Sequence, residues 1–184
     1  MNKIDVAVIL NGGKSSRMGQ NKSEMCVEGK TLLDRAIELV SPLCENLYVS
    51  GIESHPRHDT LSDYMKNIGP MGGILGALEA LPQEPYILFI PVDMPFLTRE
   101  TLQKLIGASS KTSSVLVDST GMAIPVVACY TQASRAVFLN QVESGNYSLQ
   151  FALKNLEHKF VAAESTKECM NVNTPEDFQL ISET

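Results

Sequence analysis

The chain lacks most of the features that would announce a function directly. Its four cysteines, Cys26, Cys44, Cys129 and Cys169, are widely scattered. No close pair supplies the spacing of a zinc site or a redox dithiol, so each reads as a packing or incidental thiol. No uninterrupted apolar run is long enough to span a bilayer. The opening residues, Met1-Asn2-Lys3-Ile4-Asp5, put an acidic residue inside the first apolar segment and do not resemble a secretory signal. A cytoplasmic location, with no membrane partner, is the resulting expectation. Positive charge is in deficit: 15 Lys and Arg against 21 Asp and Glu give a net charge of −6. A broadly basic nucleic-acid surface is therefore not expected, although a local basic pocket fits. There is no internal repeat, low-complexity tract or Pro/Gly/Ser linker. The 184 residues, 43% of them hydrophobic, are expected to form one globular domain, residues 1–184.

What the chain does have begins at its start. Ile4 to Leu10 is an apolar, β-branched run that predicts a buried strand. It leads into Asn11-Gly12-Gly13, and Lys14, Arg17 and Lys22 follow closely. Adjacent glycines permit close backbone approach, and successive N–H groups in such a turn cradle phosphate oxygens. Arg17 offers a planar fork of donors and the lysines offer point charges. The stretch is not a Gly-x-Gly-x-x-Gly fingerprint. It also falls short of a P-loop, because Val8 stands where the first glycine is required. An ordinary strand-to-helix turn with solvated cations is the plain alternative.

Strand and helix patterns then alternate, which predicts an α/β fold in three layers around a mostly parallel mixed sheet. Thr31 with Asp34 resembles a capping box opening a helix that Pro42 helps to end. Residues 46–50 read as a second strand, closing on Ser50. The polar stretch 53–67 has no clear periodicity. His55, His58 and Asp59 there suggest either a metal cluster or surface polarity, and Asp59 or Asp63 is placed to accept hydrogen bonds from a base or sugar. Gly72 and Gly73 open a helix packed through Ile74, Leu75 and Leu78. A strand over 86–90 runs straight into Asp93, just past its carboxyl end. That is the ligand edge of an open α/β sheet, and a carboxylate there suits Mg²⁺, a hard cation that prefers oxygen; a capping aspartate is the alternative. Pro125 argues that the strand over 122–130 is an edge strand or starts irregularly. The segment 147–153 reads as a helix with Leu149, Phe151 and Ala152 as packing residues. Near the end, Thr174-Pro175-Glu176-Asp177 is a helix start. In Asn171-Val172-Asn173, the two asparagines share one face while Val172 packs.

In order, these marks resemble the MobA-like nucleotidyltransferases of glycosyltransferase-A-like fold, and among them the molybdenum cofactor guanylyltransferases. The family's Leu-Ala-Gly-Gly-x-x-x-Arg-Met-Gly-x-x-Lys is matched by Leu10 to Lys22. Its Gly-Pro-Leu-Ala-Gly is matched by Gly69 to Gly73, its Asp-x-Pro by Asp93 to Pro95, and its Asn-x-Asn-Thr-Pro-Glu by Asn171 to Glu176. The resemblance implies a nucleotide-diphospho-sugar transferase-like fold and Mg²⁺-dependent transfer of GMP from GTP to molybdenum-molybdopterin. It implies that Leu10, Asn11, Gly12 and Gly13 hold the nucleotide, that Arg17 and Lys22 contact the triphosphate, and that Asp93 binds the metal. Ser50 and Gly72 fall among the nucleotide positions. An aspartate after the second strand also contacts the nucleotide in this family; Asp59 is the preferred counterpart and Asp63 the alternative. Asn171 and Asn173 belong to the pterin or metal side.

Four positions depart from the family pattern. Asn11 replaces alanine, and Asn21 replaces the aspartate before the lysine. The histidine expected before Pro125 and an arginine pair near Gly145 are absent. The basic-residue losses bear on the pterin half more than on the nucleotide half. A cytidylyltransferase or sugar-phosphate relative, or a nucleotide-binding protein without catalysis, is the alternative. The expected partners are small-molecule substrates, with transient contacts to molybdenum-insertion proteins or recipient molybdoenzymes, and a monomer is expected.

Overall fold

The computed structural model describes residues 3–11, 25–27, 29–174, 176, 177 and 179. The glycine-loop positions Gly12, Gly13, Arg17 and Lys22 lie outside them. The chain begins with β1 (Ile4–Leu10), followed by a small antiparallel ribbon of β2 (Cys26–Val27) and β3 (Lys30–Thr31). Helix α1 (Leu32–Val40) leads to β4 (Cys44–Ser50), β5 (Asp59–Leu61), α2 (Pro70–Ala80) and β6 (Tyr86–Pro91). Then come α3 (Arg99–Ala108), β7 (Ser113–Val117), β8 (Ala123–Thr131), α4 (Ser134–Glu143), α5 (Leu149–Leu153) and β9 (His158–Ala162). Among the described residues, no helix is long and apolar enough to cross a membrane.

The main sheet has the order β5-β4-β1-β6-β8-β7-β9. β8 is antiparallel to both neighbours, and every other pairing is parallel. β1 and β6 are near-continuous apolar runs because helices cover both sheet faces. Their alternate side chains feed two cores. Ala7, Ile9, Leu88 and Ile90 pack with α1 and α3, whereas Val6, Val8, Leu10, Ile87 and Phe89 pack with α2, α4 and α5. The result is the expected three-layer α/β/α arrangement.

Local chemistry sets the helix starts. The Thr31 hydroxyl accepts from the Asp34 N–H at 3.0 Å and donates to the Asp34 carboxylate at 2.7 Å. Thr98 caps α3 and Ser148 caps α5 in the same manner, each accepting from the N–H three residues on. Removing such a cap costs about 1 kcal/mol. Pro70 occupies the first turn of α2, and Gly69 before it has φ +65°, a conformation an L side chain rarely adopts.

Two expectations are corrected and a third is narrowed. The stretch 53–67, read as irregular, contains β5, a three-residue edge strand too short to show periodicity. Of the two readings of Pro125, the edge strand is ruled out, since β8 lies between β6 and β7, and the irregular start holds: Pro125 sits where the β7–β8 register shifts, in a local bulge that needs no proline N–H. The carbonyl freed at Pro125 accepts the buried Tyr130 hydroxyl at 2.7 Å. Phe151 is not a packing residue, because α5 turns it outward at 45% exposure while Leu149, Ala152 and Leu153 are buried.

Candidate active site

β1 has parallel neighbours on both sides, β4 reached first by the chain and β6 later. The crevice at its carboxyl end is therefore a topological switch point, the place where open α/β sheets take ligands. Leu10 is in register with Ser50 on one side and Pro91 on the other. The Asn11 N–H donates to the Ser50 carbonyl at 3.1 Å, and the Val92 N–H donates to the Leu10 carbonyl at 3.1 Å. Asn11, Ser50 and the residue before Asp93 are thus sewn into one edge.

The start of α2 closes against this edge through glycine. A Cβ on Gly73 would lie 2.7 Å from Ser50 Oγ, 3.0 Å from Leu10 Cδ2 and 3.4 Å from Asp63 Oδ1. A Cβ on Gly72 would lie 2.7 Å from the Met65 carbonyl. The Tyr64 N–H donates to the Gly72 carbonyl at 2.9 Å, pinning the 62–65 segment across the helix start. Close approach of backbone to backbone is what these two glycines supply.

Among the described residues, two polar atoms here are buried without a hydrogen-bond partner: Asn11 Nδ2 and Asp63 Oδ1. Asn11 is only 8% exposed. Burial raises the Asp63 carboxyl above the ordinary aspartate range, because the charged form is desolvated. An orphaned donor and an orphaned acceptor beside a switch point are what a ligand-binding edge leaves open.

The two aspartate candidates separate. Asp63 stands at the sheet edge beside Gly73. Asp59, the counterpart preferred from sequence, pairs with Tyr48 two residues before the edge and is exposed. It lines a polar groove of about 340 Å³ with Glu45, His55, Arg57 and His58. Asp63 thus lies at the crevice and Asp59 does not, because β5 ends at Leu61 and the chain turns toward α2 only afterwards. Nor do His55, His58 and Asp59 form a metal cluster. The two rings lie 5.2 Å apart between centroids, but no group of three or more His, Cys, Asp or Glu suited to a metal occurs among the described residues. Burial, then His55 and Arg57, lower the His58 pKa below its ordinary value.

Asp93 follows β6 and is partly exposed at the crevice. Its carbonyl accepts the Val172 N–H at 2.8 Å. The Asn171-Val172-Asn173 segment therefore lies against the residue that sequence reasoning named as the metal ligand. Val172 is fully buried, and Asn171 and Asn173 are exposed, as their alternation predicts. Beyond them, the Asp177 N–H donates to Thr174 Oγ1 at 3.0 Å, while Asp177 Oδ2 accepts the N–H groups of Asn173 and Thr174, both at 2.9 Å. The candidate metal donor at this edge is the Asp93 carboxylate, a hard oxygen ligand. It fits Mg²⁺, which takes one or two carboxylates and completes its shell from water and substrate phosphates.

The mixed sheet with β8 reversed is that of the nucleotide-diphospho-sugar transferase-like fold, and the family match makes the chain a nucleotidyltransferase. Residues 7–159 match the family model of the MobA-like NTP transferase domain, and the chain belongs to that family. It is 33% identical over 94% of its length to a protein of Rhodopirellula baltica named "Probable molybdenum cofactor guanylyltransferase", covering 89% of that relative. It is 29% identical to the molybdenum cofactor guanylyltransferase of Xanthomonas euvesicatoria, over 93% of this chain and 90% of that one. In fold it is similar to molybdopterin-guanine dinucleotide biosynthesis protein A of Archaeoglobus fulgidus, with a TM-score of 0.79, 22% identity and 96% of each chain covered. The 2-C-methyl-D-erythritol 4-phosphate cytidylyltransferase of Thermus thermophilus shares the fold at a TM-score of 0.72 and 16% identity, with 98% of each chain covered.

Proposed function

We propose that this nucleotidyltransferase is a molybdenum cofactor guanylyltransferase, transferring GMP from GTP to molybdenum-molybdopterin with release of pyrophosphate. The observation that carries the reading is the Val172–Asp93 hydrogen bond, which seats the Asn171–Asn173 segment beside the strand-end carboxylate at the nucleotide crevice. The names of the relatives similar over nearly the whole chain support the choice of GTP and of molybdenum-molybdopterin.

In this reading a terminal phosphate oxygen of molybdopterin forms a bond to the α-phosphorus of GTP. The bond from that phosphorus to the bridging oxygen breaks, and pyrophosphate departs. The attacking group is itself a phosphate, so no side-chain nucleophile is needed. The protein contributes alignment and charge stabilisation. Backbone at Leu10 to Gly13, with Ser50, Asp63 and Gly72, holds the nucleotide; Arg17 and Lys22 neutralise the phosphates; Asn171 and Asn173 orient the acceptor. Mg²⁺, when bound at Asp93, supplies further neutralisation of phosphate charge. The protein acts as a cytoplasmic monomer and passes its product to recipient molybdoenzymes.

The test is Asp93→Ala, assayed for pyrophosphate release with GTP, Mg²⁺ and metal-loaded molybdopterin. The variant is expected to fold, by circular dichroism, and to lose GMP transfer; turnover equal to the parent's would refute the role given to Asp93.

A further inference from the structure

Glu168 is an acidic residue in a short 3-10 turn, Thr166–Cys169, and is only 2% exposed. A buried carboxylate is tolerated when its oxygens are hydrogen-bonded. Here Thr98 Oγ1 donates to one oxygen at 2.9 Å and Thr101 Oγ1 donates to the other at 2.5 Å. Both threonines belong to the start of α3, where Thr98 is the N-cap and also accepts the Thr101 N–H at 3.3 Å. The positive end of this ten-residue helix favours the carboxylate.

The contacts continue from there toward the crevice. Lys167 Nζ lies 5.0 Å from the centroid of the Phe96 ring. The Val172 N–H reaches the Asp93 carbonyl, and the Val172 side chain joins the core with Met94 and Leu97. Residues 167–172 are thus fastened, in roughly antiparallel sense, along residues 93–101. Glu168 anchors one end and the Val172–Asp93 bond closes the other. Asn171 and Asn173 flank that closing bond. The Lys167–Phe96 contact, the packing of Cys169 and Val172 on the core and the Val172–Asp93 bond complete the fastening.

We propose that Glu168 is a positioning residue: its buried carboxylate, held by Thr98 and Thr101, fixes the Asn171–Asn173 strap against Asp93 and so sets the geometry of the acceptor half of the site. The identity of the acceptor rests on the function proposed above; the positioning role does not.

The test compares Glu168→Ala, Glu168→Gln and Thr101→Val with the parent in two measurements. The first is amide hydrogen exchange, which needs no activity. The Val172 amide should exchange roughly tenfold to a hundredfold faster in Glu168→Ala, while the Val8 and Phe89 amides of the central strands stay unchanged, as expected for a local opening. The second is steady-state kinetics of GMP transfer. The KM for molybdenum-molybdopterin should rise on the order of tenfold and that for GTP by less than about twofold, the size of losing hydrogen bonds to a charged group. Glu168→Gln keeps one acceptor oxygen and should restore most of both effects. Thr101→Val, which keeps the helix and removes one donor, should move both readouts in the same direction by less, and it decides the matter should Glu168→Ala not fold. Unchanged Val172 exchange would overturn the proposal, as would an equal loss of protection at Val8 and Phe89 or an equal rise in both KM values. Accelerated Val172 exchange in a protein that transfers no GMP would uphold the positioning role and refute the proposed reaction instead.

Discussion

Replacing Gly73 by alanine sets two effects of opposite sign against each other. In an ordinary helix interior the change stabilises by about 0.5–1 kcal/mol, because alanine loses less backbone freedom on folding. At this site the new methyl carbon would stand 2.7 Å from Ser50 Oγ and 3.0 Å from Leu10 Cδ2. Overpacking a tight interior costs about 1–3 kcal/mol. Both neighbours are buried side chains, so relief comes only by moving Ser50, Leu10 or the adjacent Asp63 carboxylate. The net expectation is a loss of up to about 2 kcal/mol, which at its upper end is roughly 4–8 °C in melting temperature. Binding suffers more than stability, because the displaced groups are those assigned to the nucleotide. Gly76→Ala provides the contrast. There the Cβ would meet the Ser62 carbonyl at a prohibitive distance and the Tyr64 nitrogen at 2.8 Å, both backbone atoms that cannot rotate away. It should cost about 2–3 kcal/mol. Urea unfolding followed by circular dichroism, together with the KM for nucleotide, separates the two. A Gly73→Ala protein that melts higher than the parent and keeps its nucleotide KM would refute the packing argument.

The orphaned and desolvated groups make further predictions. Asp63→Asn should stabilise the ligand-free protein at neutral pH while weakening nucleotide binding. Burial raises the folded-state pKa of Asp63, so its contribution is fully present below the unfolded carboxyl's pKa and is lost as pH rises through the folded value. The advantage of the variant over the parent should therefore shrink as pH falls from neutrality through the folded value and be gone below about 4, in denaturant titrations at several pH values. Asn11→Ala removes a buried donor that has no partner, a group whose isolation costs about 1–3 kcal/mol. It should leave the ligand-free melting temperature unchanged or raise it, and a fall of more than about 5 °C would show that the amide is satisfied after all. Alkylation at pH 8 followed by peptide mass should label Cys26 first. Cys44 and Cys129 should resist, because burial pushes their thiols up to about 11 and about 12.

Much of the frame could be read without coordinates because it rests on local chemistry. The apolar runs of β1 and β6, the caps at Thr31 and Thr98 and the proline opening α2 each depend on neighbours within a few residues. The edge that joins Asn11, Ser50 and Asp93 follows from strand alternation and a parallel sheet. Features set by distant contacts were not readable. β5 is three residues long and half exposed, so it carries no periodic signal. The choice between Asp59 and Asp63 depends on where the chain leaves β5 and turns across Gly72. Pro125 left an edge strand and an irregular start both open, because the sequence does not say which strands flank a proline. Glu168 was invisible too, since its partners Thr98 and Thr101 lie 70 and 67 residues away. The Gly12 to Lys22 roles rest on sequence and family resemblance alone.

The account stands or falls on the product of one reaction. The protein is incubated with Mg²⁺, metal-loaded molybdopterin and, in parallel, GTP, CTP or ATP; pyrophosphate is quantified and the pterin product is weighed by mass spectrometry. The prediction is a pterin heavier by one GMP, one pyrophosphate per product, and no comparable product from CTP or ATP. A pterin carrying CMP, or orthophosphate in place of pyrophosphate, would contradict it.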